Sequence, residues 1–215
     1  MIIDIHILNL SSFDHIEALL ILPCKIRSYA LGLKLEKKRI EYIASQWLRY
    51  KLLSESLCID INSLRFAKTN TGRPFLTNKA VDFNISHTRH YAMIAIAKDQ
   101  RIGVDVQTKK KVDILAISKQ YFAESEYCLI TSEQNEFLRR HIFYWLWVYK
   151  EASLKLTGEG IANGLNRYVF RVNKNGICKH SNVKDKYYFH QQLDENTLMC
   201  LSFEKSNSKI ILHFL

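Results

Sequence analysis

Apolar and polar positions form a regular pattern in three neighbouring stretches near the middle of the chain. Residues 83–86 alternate with the period of two that a strand requires, and 91–97 is a continuous apolar run typical of a buried strand. Polar residues 98–101 then predict a turn back into a third strand over 102–107. The simplest structure for this pattern is a half-buried hairpin with one face in water.

The third stretch alternates so that Gly103, Asp105 and Gln107 share one face, with branched apolar residues on the other. Gly103 has no Cβ, so a ligand or another backbone can come close to the strand beside Asp105. This face is therefore either exposed to water, as in the hairpin, or in close contact with a ligand or another backbone.

A long helix is predicted in the second half of the chain. Thr131 and Gln134 have the spacing of a weak capping box, and Gly158 is a suitable C-terminal stop. Residues 142–149 (IFYWLWVY) are apolar on every side of that helix. This indicates a helix that is buried all round.

Charged residues follow directly after this apolar run. Glu151 and Lys155 lie at i and i+4, on the same face as Trp147, and the simplest interpretation is an intrahelical ion pair of about a few tenths of a kcal/mol. Charges that leave a buried helix need partners, however, and a metal ion with phosphates would provide them at a cleft. Lys150 faces about 100° away from Glu151 and is expected to be positional or on the surface.

Length, cysteines and apolar content narrow the class of protein. The 215 residues suffice for one large domain or two small ones, with Pro and Gly too scattered to form a linker. Five cysteines without CxxC spacing argue against a disulfide framework and a zinc site. The N-terminus lacks a basic signal region, and no apolar stretch approaches the ~20 residues that cross a bilayer. A reduced cytoplasmic protein without a membrane partner is expected.

The net charge of +10 indicates an acidic partner. Nucleic acid is one candidate, because lysines such as those at 109–111 neutralise phosphates. The sequence has no RNP-like aromatic strand, helix-turn-helix spacing or zinc knuckle, so no nucleic-acid partner is expected. An acidic protein or an anionic small molecule explains the charge at least as well.

Four motifs in a fixed order carry a resemblance to a known family. They are G-R-P at 72–74, F-N-I-S-H at 83–87, I-G-V-D-V-Q at 102–107 and W-V-Y-K-E-A-S-L-K at 147–155. Each alone is a weak signal, but together they resemble the 4'-phosphopantetheinyl transferases of the larger, surfactin-synthetase-activating type. The resemblance covers residues 36–160 well.

This resemblance implies an α+β fold of two similar α/β subdomains related by a pseudo-twofold axis, with the site between them. The expected boundary lies after Gln107, giving an N-terminal half of 1–107 and a C-terminal half of 108–215. Asp105 would then come from the first half, on the coenzyme A nucleotide side, and the Glu–Lys pair of the long helix from the second.

The resemblance also implies a role for each motif residue. Mg²⁺ would be the cofactor and coenzyme A the substrate, with Glu151 accepting a serine proton and Lys155 stabilising charge on the phosphoryl oxygens. The expected contacts are, for Mg²⁺, Asp105, Gln107 and Glu151, and, for coenzyme A, Arg73, Ser86, His87 and Lys155.

The implied reaction transfers the 4'-phosphopantetheine arm of coenzyme A to a serine of an acidic apo acyl or peptidyl carrier protein, giving the holo-carrier and 3',5'-ADP. The carrier would dock on one or two short helices over 112–130, with Phe122 in the core and Tyr121 left open between core and carrier. Family members of this type are typically monomeric, and the same is expected here. The carrier's pathway and the tolerance for acylated coenzyme A stay open.

Gln107 departs from the family pattern and keeps an alternative open. The family usually has a second acid at this position, and a glutamine amide oxygen can face a cation or its water but brings no charge. The chain could therefore be a degenerate homologue that binds coenzyme A or a carrier without efficient transfer. Direct coordination by Gln107, and the choice of Glu151 or a water as the base, stay open at this level.

Overall fold

A computed structural model describes residues 1–77, 81–160, 164–173 and 178–215. Contacts divide the chain into two compact units, residues 1–100 together with 207–215, and residues 101–206. Each unit combines a main β-sheet with α-helices, so the predicted α+β class is confirmed. Within the described ranges, every helix is too short or too polar to cross a membrane.

The first unit places helices beside a mostly antiparallel sheet. A π-helical turn over Leu48–Leu52 joins α3 to α4. The strands and helices of this unit are β1 (Ile2–Asn9), β2 (Phe66–Lys68), β3 (Pro74–Leu76), β4 (Val81–His87), β5 (Tyr91–Lys98), β11 (Lys209–Phe214), α1 (His15–Ile21), α2 (Cys24–Gly32), α3 (Glu36–Trp47) and α4 (Leu53–Leu57).

The main sheet of the first unit has the order β11-β1-β5-β4, with β11 parallel to β1 and the other pairs antiparallel. The strands predicted at 83–86 and 91–97 are confirmed as β4 and β5, with Ile85 opposite Ile94. Phe83 and Ile94 share a buried core with Leu48 of the helical layer. This core fixes the end of β4, where two of the predicted ligand residues lie.

The predicted hairpin between the second and third strands is wrong. β6 (Ile102–Thr108) pairs with β10 (Thr197–Phe203), and β5 is already paired with β1 on one side and β4 on the other. No edge of β5 is left for another strand, so the turn around Asp99, which has a φ of 57°, leads the chain into a different sheet. The polar side of β6 is also dry, because Asp105 is only 1% exposed.

The second unit packs its longest helix on a three-stranded antiparallel sheet of order β6-β10-β9. The helix α7 lies against both β6 and β10. The remaining elements of this unit are α5 (Ile114–Tyr121), α6 (Glu124–Ser132), α7 (Glu136–Thr157), β7 (Phe170–Val172), β8 (Cys178–Ser181) and β9 (Tyr187–Asp194).

The long helix is confirmed, but its predicted start is wrong. Thr131 lies near the end of α6, and α7 begins at Glu136 after Asn135, whose side chain accepts a hydrogen bond from the Leu138 amide. Asn is a stronger cap than the weak Thr–Gln box, which explains the later start. The predicted stop is confirmed, since Gly158 ends α7 in the left-handed conformation with a φ of 79°.

The apolar stretch of α7 is buried as predicted, with Trp147 only partly covered. The two short helices expected over 112–130 are confirmed as α5 and α6. Phe122 between them is buried in the core, while Tyr121 is 42% exposed. Tyr121 therefore lies at the surface rather than inside the unit.

Gly103 is the point where β6 and α7 come closest. A Cβ built on Gly103 would lie 2.1 Å from the Ala152 carbonyl oxygen and 2.3 Å from the Leu156 amide nitrogen. The close approach predicted beside Asp105 is therefore that of another backbone. This contact sets how far the last turns of α7 lie from the strand that carries Asp105.

The boundary between the units moves from the predicted position. The second unit begins after Gln100 rather than after Gln107, because all of β6 pairs with β10. The last strand, β11, returns to the first unit by pairing with β1. Asp105 therefore belongs to the same unit as Glu151 and Lys155, and not to the preceding one.

Both units open with the same order of elements. A strand (β1 or β6) is followed by two short helices and then by a longer one, α3 or α7. Asp14 and Asp113 cap the first short helix of each unit with the side chain. The expected similarity of the two subdomains is thus present in their element order, although the sequence shows no strong repeat.

The Gly103 contact predicts a sharp difference between two glycines. Gly103→Ala should lower the free energy of unfolding by about 1–3 kcal/mol or more, because the new Cβ meets rigid backbone. Gly32→Ala is the matched control, since a Cβ at this helical position meets nothing within 4 Å. It should be neutral or stabilise by up to about 1 kcal/mol. Urea denaturation followed by circular dichroism measures both, and an unaffected Gly103→Ala variant would contradict the packing.

Candidate active site

Four of the predicted site residues lie together within the second unit, namely Asp105, Gln107, Glu151 and Lys155. Gly103, Asp105 and Gln107 lie on the face of β6 that meets α7, because alternate residues of a strand share a face. Glu151 and Lys155 stand one helical turn apart on α7. The result is a cluster formed by one strand and one helix.

Asp105 is the centre of this cluster. The Lys155 ammonium donates to Asp105 Oδ1 at 2.6 Å, and the Gln107 amide nitrogen donates to Asp105 Oδ2 at 3.0 Å. A carboxylate that is almost completely buried needs such partners, because desolvation disfavours an isolated charge. Lys155 therefore forms an ion pair between helix and strand, in addition to its electrostatic effect on Glu151.

Glu151 is buried beside this pair, at 5% exposure. Burial raises the pKa of Glu151 to about 7, the negative charge of Asp105 adds to the rise, and the Lys155 ammonium opposes it. The two carboxylates therefore repel each other in a dry environment. A bound cation would remove this repulsion.

The donor set suits a magnesium ion. Mg²⁺ takes oxygen ligands and is commonly held by one or two carboxylates together with phosphates and water. Asp105 and Glu151 supply two carboxylates, and Gln107 supplies an amide next to them. No group of three or more His, Cys, Asp or Glu side chains in the described ranges is arranged to hold a metal ion. Most remaining ligands would then come from a phosphorylated ligand and water.

The convergence of Asp105 and Glu151 was expected across the boundary between two halves. The structure places both in the second unit, on β6 and α7, which corrects that expectation. The physical reason is strand pairing: β6 is held by β10, and α7 covers this same sheet. The acidic pair is therefore preorganised by the packing of a single unit.

Arg73 lies in the first unit and is engaged by an acidic neighbour. Its guanidinium donates to both carboxylate oxygens of Asp82, at 2.9 and 2.6 Å, and is 8% exposed. Thr69 Oγ1 accepts a hydrogen bond from the Arg73 amide within the turn where Gly72 has a φ of 87°. The G-R-P motif thus has a structural function in holding this turn to β4.

Ser86 and His87 are the last residues of β4, also in the first unit. Ser86 is buried and His87 is exposed. The Thr88 hydroxyl accepts hydrogen bonds from the amides of His90 and Tyr91, which closes the tight turn into β5. His87 is therefore an exposed ring at the rigid end of a strand, and its role as a ligand contact stays a prediction.

For Lys150 the sequence left a positional and a surface role open, and the structure excludes the surface. Lys150 is fully buried, and its ammonium lies 2.6 Å from Glu126 Oε2 on α6. The surface alternative was wrong because α7 is covered on this side as well. The signal was present in the sequence, since Lys150 follows directly on a helix that is apolar on every side.

The chain matches two models of known protein families. One family model, described as the 4'-phosphopantetheinyl transferase superfamily, matches residues 101–207, and another, described as 4'-phosphopantetheinyl transferase, N-terminal, matches residues 18–99. Together they take in most of the chain, and the first contains the cluster around Asp105.

Similar curated proteins carry the same activity in their names. The chain is 35% identical over 126 residues to the putative 4'-phosphopantetheinyl transferase slr0495 of Synechocystis sp., covering 57% of this chain and 50% of that protein. It is 29% identical over 127 residues to the 4'-phosphopantetheinyl transferase Sfp of Bacillus subtilis, covering 58% and 55%. The chain thus spans about half the length of the curated relatives it matches.

A solved structure is also similar in part. It is a holo-(acyl-carrier-protein) synthase from Bacillus anthracis in complex with CoA (3',5'-ADP), 22% identical to this chain, with a TM-score of 0.35. The match covers 44% of this chain and 91% of that one.

The buried carboxylate pair predicts a pH-dependent effect on stability. Because the folded-state pKa of Glu151 is raised, its charge destabilises the fold above pH 7, and this loss fades as the pH falls toward the ordinary carboxyl range. In EDTA at pH 8, Glu151→Gln should therefore raise the free energy of unfolding by about 1–3 kcal/mol, with little gain at pH 5. Denaturant titrations at both pH values measure the difference.

Glu195→Gln is the control for this measurement, because Glu195 is exposed at a turn in the same unit. It should change the free energy of unfolding by less than about 0.5 kcal/mol at either pH. A Glu151→Gln variant that is less stable than the parent at pH 8 would contradict a raised pKa for Glu151.

Proposed function

Because the chain belongs to the 4'-phosphopantetheinyl transferase superfamily, we propose that it transfers the 4'-phosphopantetheine arm of coenzyme A to a serine of an apo acyl or peptidyl carrier protein. The observation that carries the proposal is the cluster of Asp105, Glu151 and Lys155 within the matched residues 101–207. The products would be the holo-carrier and 3',5'-ADP.

In this proposal Asp105 and Glu151 hold Mg²⁺, with the Gln107 amide beside Asp105. When bound, Mg²⁺ supplies positive charge to the diphosphate oxygens of coenzyme A. Mutual repulsion of the two buried carboxylates supports the assignment, because a bound cation would lower the cost of burying two neighbouring negative charges.

Lys155 and Glu151 would act on the reacting atoms. The serine oxygen forms a bond to the phosphorus that carries the pantetheine arm, and the bond from that phosphorus to the 3',5'-ADP oxygen breaks. Glu151 accepts the hydroxyl proton, directly or through a water. The Lys155 ammonium offsets the negative charge that develops on the phosphoryl oxygens.

Ser86, His87 and Arg73 are proposed to contact coenzyme A. Exposure and a rigid position at the end of β4 support His87 as a donor to a phosphate oxygen. For Arg73 the role must be compatible with its bond to Asp82, which uses two of the five donors of a guanidinium. Coenzyme A binding would then depend on the G-R-P turn both for contact and for its shape.

The proposed partners agree with the charge of the chain. A net charge of +10 favours association with an anionic coenzyme and an acidic carrier protein. The exposed Tyr121 at the end of α5 is a candidate carrier contact, because Phe122 next to it is already used in the core. A monomeric cytoplasmic enzyme remains the expectation.

A second candidate function rests on Gln107. This residue brings no charge and gives a hydrogen bond to Asp105, so the site has one acid fewer than the family usually supplies. A protein with a weakened cation site would bind coenzyme A or a carrier and transfer slowly.

A mass spectrum of an apo carrier protein incubated with coenzyme A, Mg²⁺ and this protein separates the two functions. A gain of one phosphopantetheine that disappears with EDTA is the result expected for the transferase. Coenzyme A binding by calorimetry without any mass gain selects the second function. Absence of both binding and transfer over a panel of fatty-acid, polyketide and peptide carriers would overturn both.

Lys155→Ala should lower kcat/KM for carrier modification by about 10²–10³, because one preorganised charge is lost from the transition state. Lys184→Ala, an exposed lysine of the same unit, is the control and should leave the rate within about twofold. Initial rates at saturating Mg²⁺ measure the effect. A Lys155→Ala enzyme with the rate of the control would remove Lys155 from the reaction.

Gln107→Glu should lower the Mg²⁺ concentration for half-maximal rate, because a carboxylate binds a hard cation more strongly than an amide. Gln107→Leu should raise it, since the oxygen is removed. Titration of Mg²⁺ at fixed coenzyme A and carrier measures both shifts. If neither variant differs from the parent in its cation requirement, position 107 does not face the metal.

A further inference from the structure

The angular position of α7 is not set by apolar burial alone. Residues Ile142–Tyr149 are apolar on every side of the helix and are almost all buried. An amphipathic helix has one orientation that buries its apolar face, whereas a helix that is apolar all round can turn about its axis with little change in buried area. The few polar or shape-specific contacts of α7 must therefore define which residues face β6.

Lys150 makes the most buried polar contact of this kind on the described part of α7. Its side chain is 0% exposed and that of Glu126 is 1% exposed, with 2.6 Å between Nζ and Oε2. Nζ also donates to the carbonyl oxygens of Leu165 at 2.7 Å and Tyr168 at 2.5 Å. All three ammonium protons thus have an acceptor.

Both carboxylate oxygens of Glu126 also accept hydrogen bonds from the backbone. Its Oε2 accepts the Ala123 amide at the start of α6, at 3.0 Å, and its Oε1 accepts the Phe170 amide at 2.8 Å. The pair therefore connects α6, α7 and the segment Leu165–Phe170 through one buried ion pair. The ammonium also lies 4.8 Å from the ring centre of Phe122.

Neighbouring helical residues point about 100° apart. With Lys150 held on Glu126, Glu151 and Lys155 face β6, where Lys155 bonds Asp105. A rotation by one residue would separate the Lys150 charge from Glu126 and leave two carbonyl groups and a carboxylate without their buried donor. Leaving such groups unpaired in the interior is strongly unfavourable, so the pair discriminates against other rotations.

We infer that Lys150 and Glu126 are positioning residues that fix the rotation of α7 and so present Glu151 and Lys155 to Asp105. The statement about rotation rests on the geometry of the second unit alone. Its consequence for catalysis rests on the proposed function.

The coupling between Asp105 and Lys155 reports the rotation without any metal or substrate. A double-mutant cycle with Asp105→Asn and Lys155→Met, measured by urea denaturation in EDTA, gives this coupling. In the parent we expect it to change the unfolding equilibrium constant by about threefold or more. In the Lys150→Met background it should fall to about 1.5-fold or less, because Lys155 no longer faces Asp105.

Two further backgrounds keep the test decisive. Glu126→Gln has the same shape and keeps an acceptor for the Phe170 amide, so it serves if Lys150→Met does not fold, and it should also reduce the coupling. Ile130→Ala removes a fully buried apolar side chain from α6 and is the control for lost stability. It should keep the coupling of the parent. Full coupling in both the Lys150→Met and Glu126→Gln backgrounds would overturn the inference.

Carrier modification measured on the same variants separates this inference from the proposed function. If Lys150→Met and Glu126→Gln lose the coupling and also have a lower kcat, and Ile130→Ala does neither, the rotation and the proposed function are both supported. Loss of coupling in the Lys150→Met and Glu126→Gln backgrounds, together with no carrier modification by the parent protein, supports the rotation and contradicts the proposed function. Retained coupling contradicts the rotation whatever the carrier assay shows.

Discussion

The close contact between β6 and α7 is the constraint on which the candidate site depends. A helix backbone lies directly on the strand at Gly103, with no side chain between them. Because the next residue on the same face of the strand is Asp105, the carboxylate is forced into the space just beside the helix. A larger residue at 103 would move the helix outward, and the charges on the two elements would no longer meet.

The second unit places buried charges on two sides of one helix. On one side, Lys155 neutralises Asp105 and leaves Glu151 with an unfavourable negative charge. On the other, Lys150 and Glu126 satisfy each other and several backbone groups. The first cluster buries two neighbouring negative charges, which a bound cation would favour. The second pairs one buried negative charge with one buried positive charge and holds the structure.

Local sequence patterns predicted the helices and strands well. They could not predict which distant strands pair with each other. The alternation at 83–86, the apolar run at 91–97 and the stop at Gly158 are properties of short segments, and each is confirmed. The partner of β6 lies almost a hundred residues later in the chain, so adjacency wrongly favoured β5. The family motifs identified Asp105, Glu151 and Lys155 as site residues. That all three belong to one unit followed only from the pairing of β6 with β10. Glu126, the buried partner of Lys150, lies outside every motif and could not be predicted as its partner.

The parallel pairing of β11 with β1 has a consequence for how the protein is made. The first unit needs Lys209–Phe214 to complete its sheet, and the whole of the second unit is synthesised before that strand. The second unit contains every strand of its own main sheet, whereas the sheet of the first unit is complete only after the last strand has been made. The second unit is in effect an insertion between β5 and β11 of the first unit.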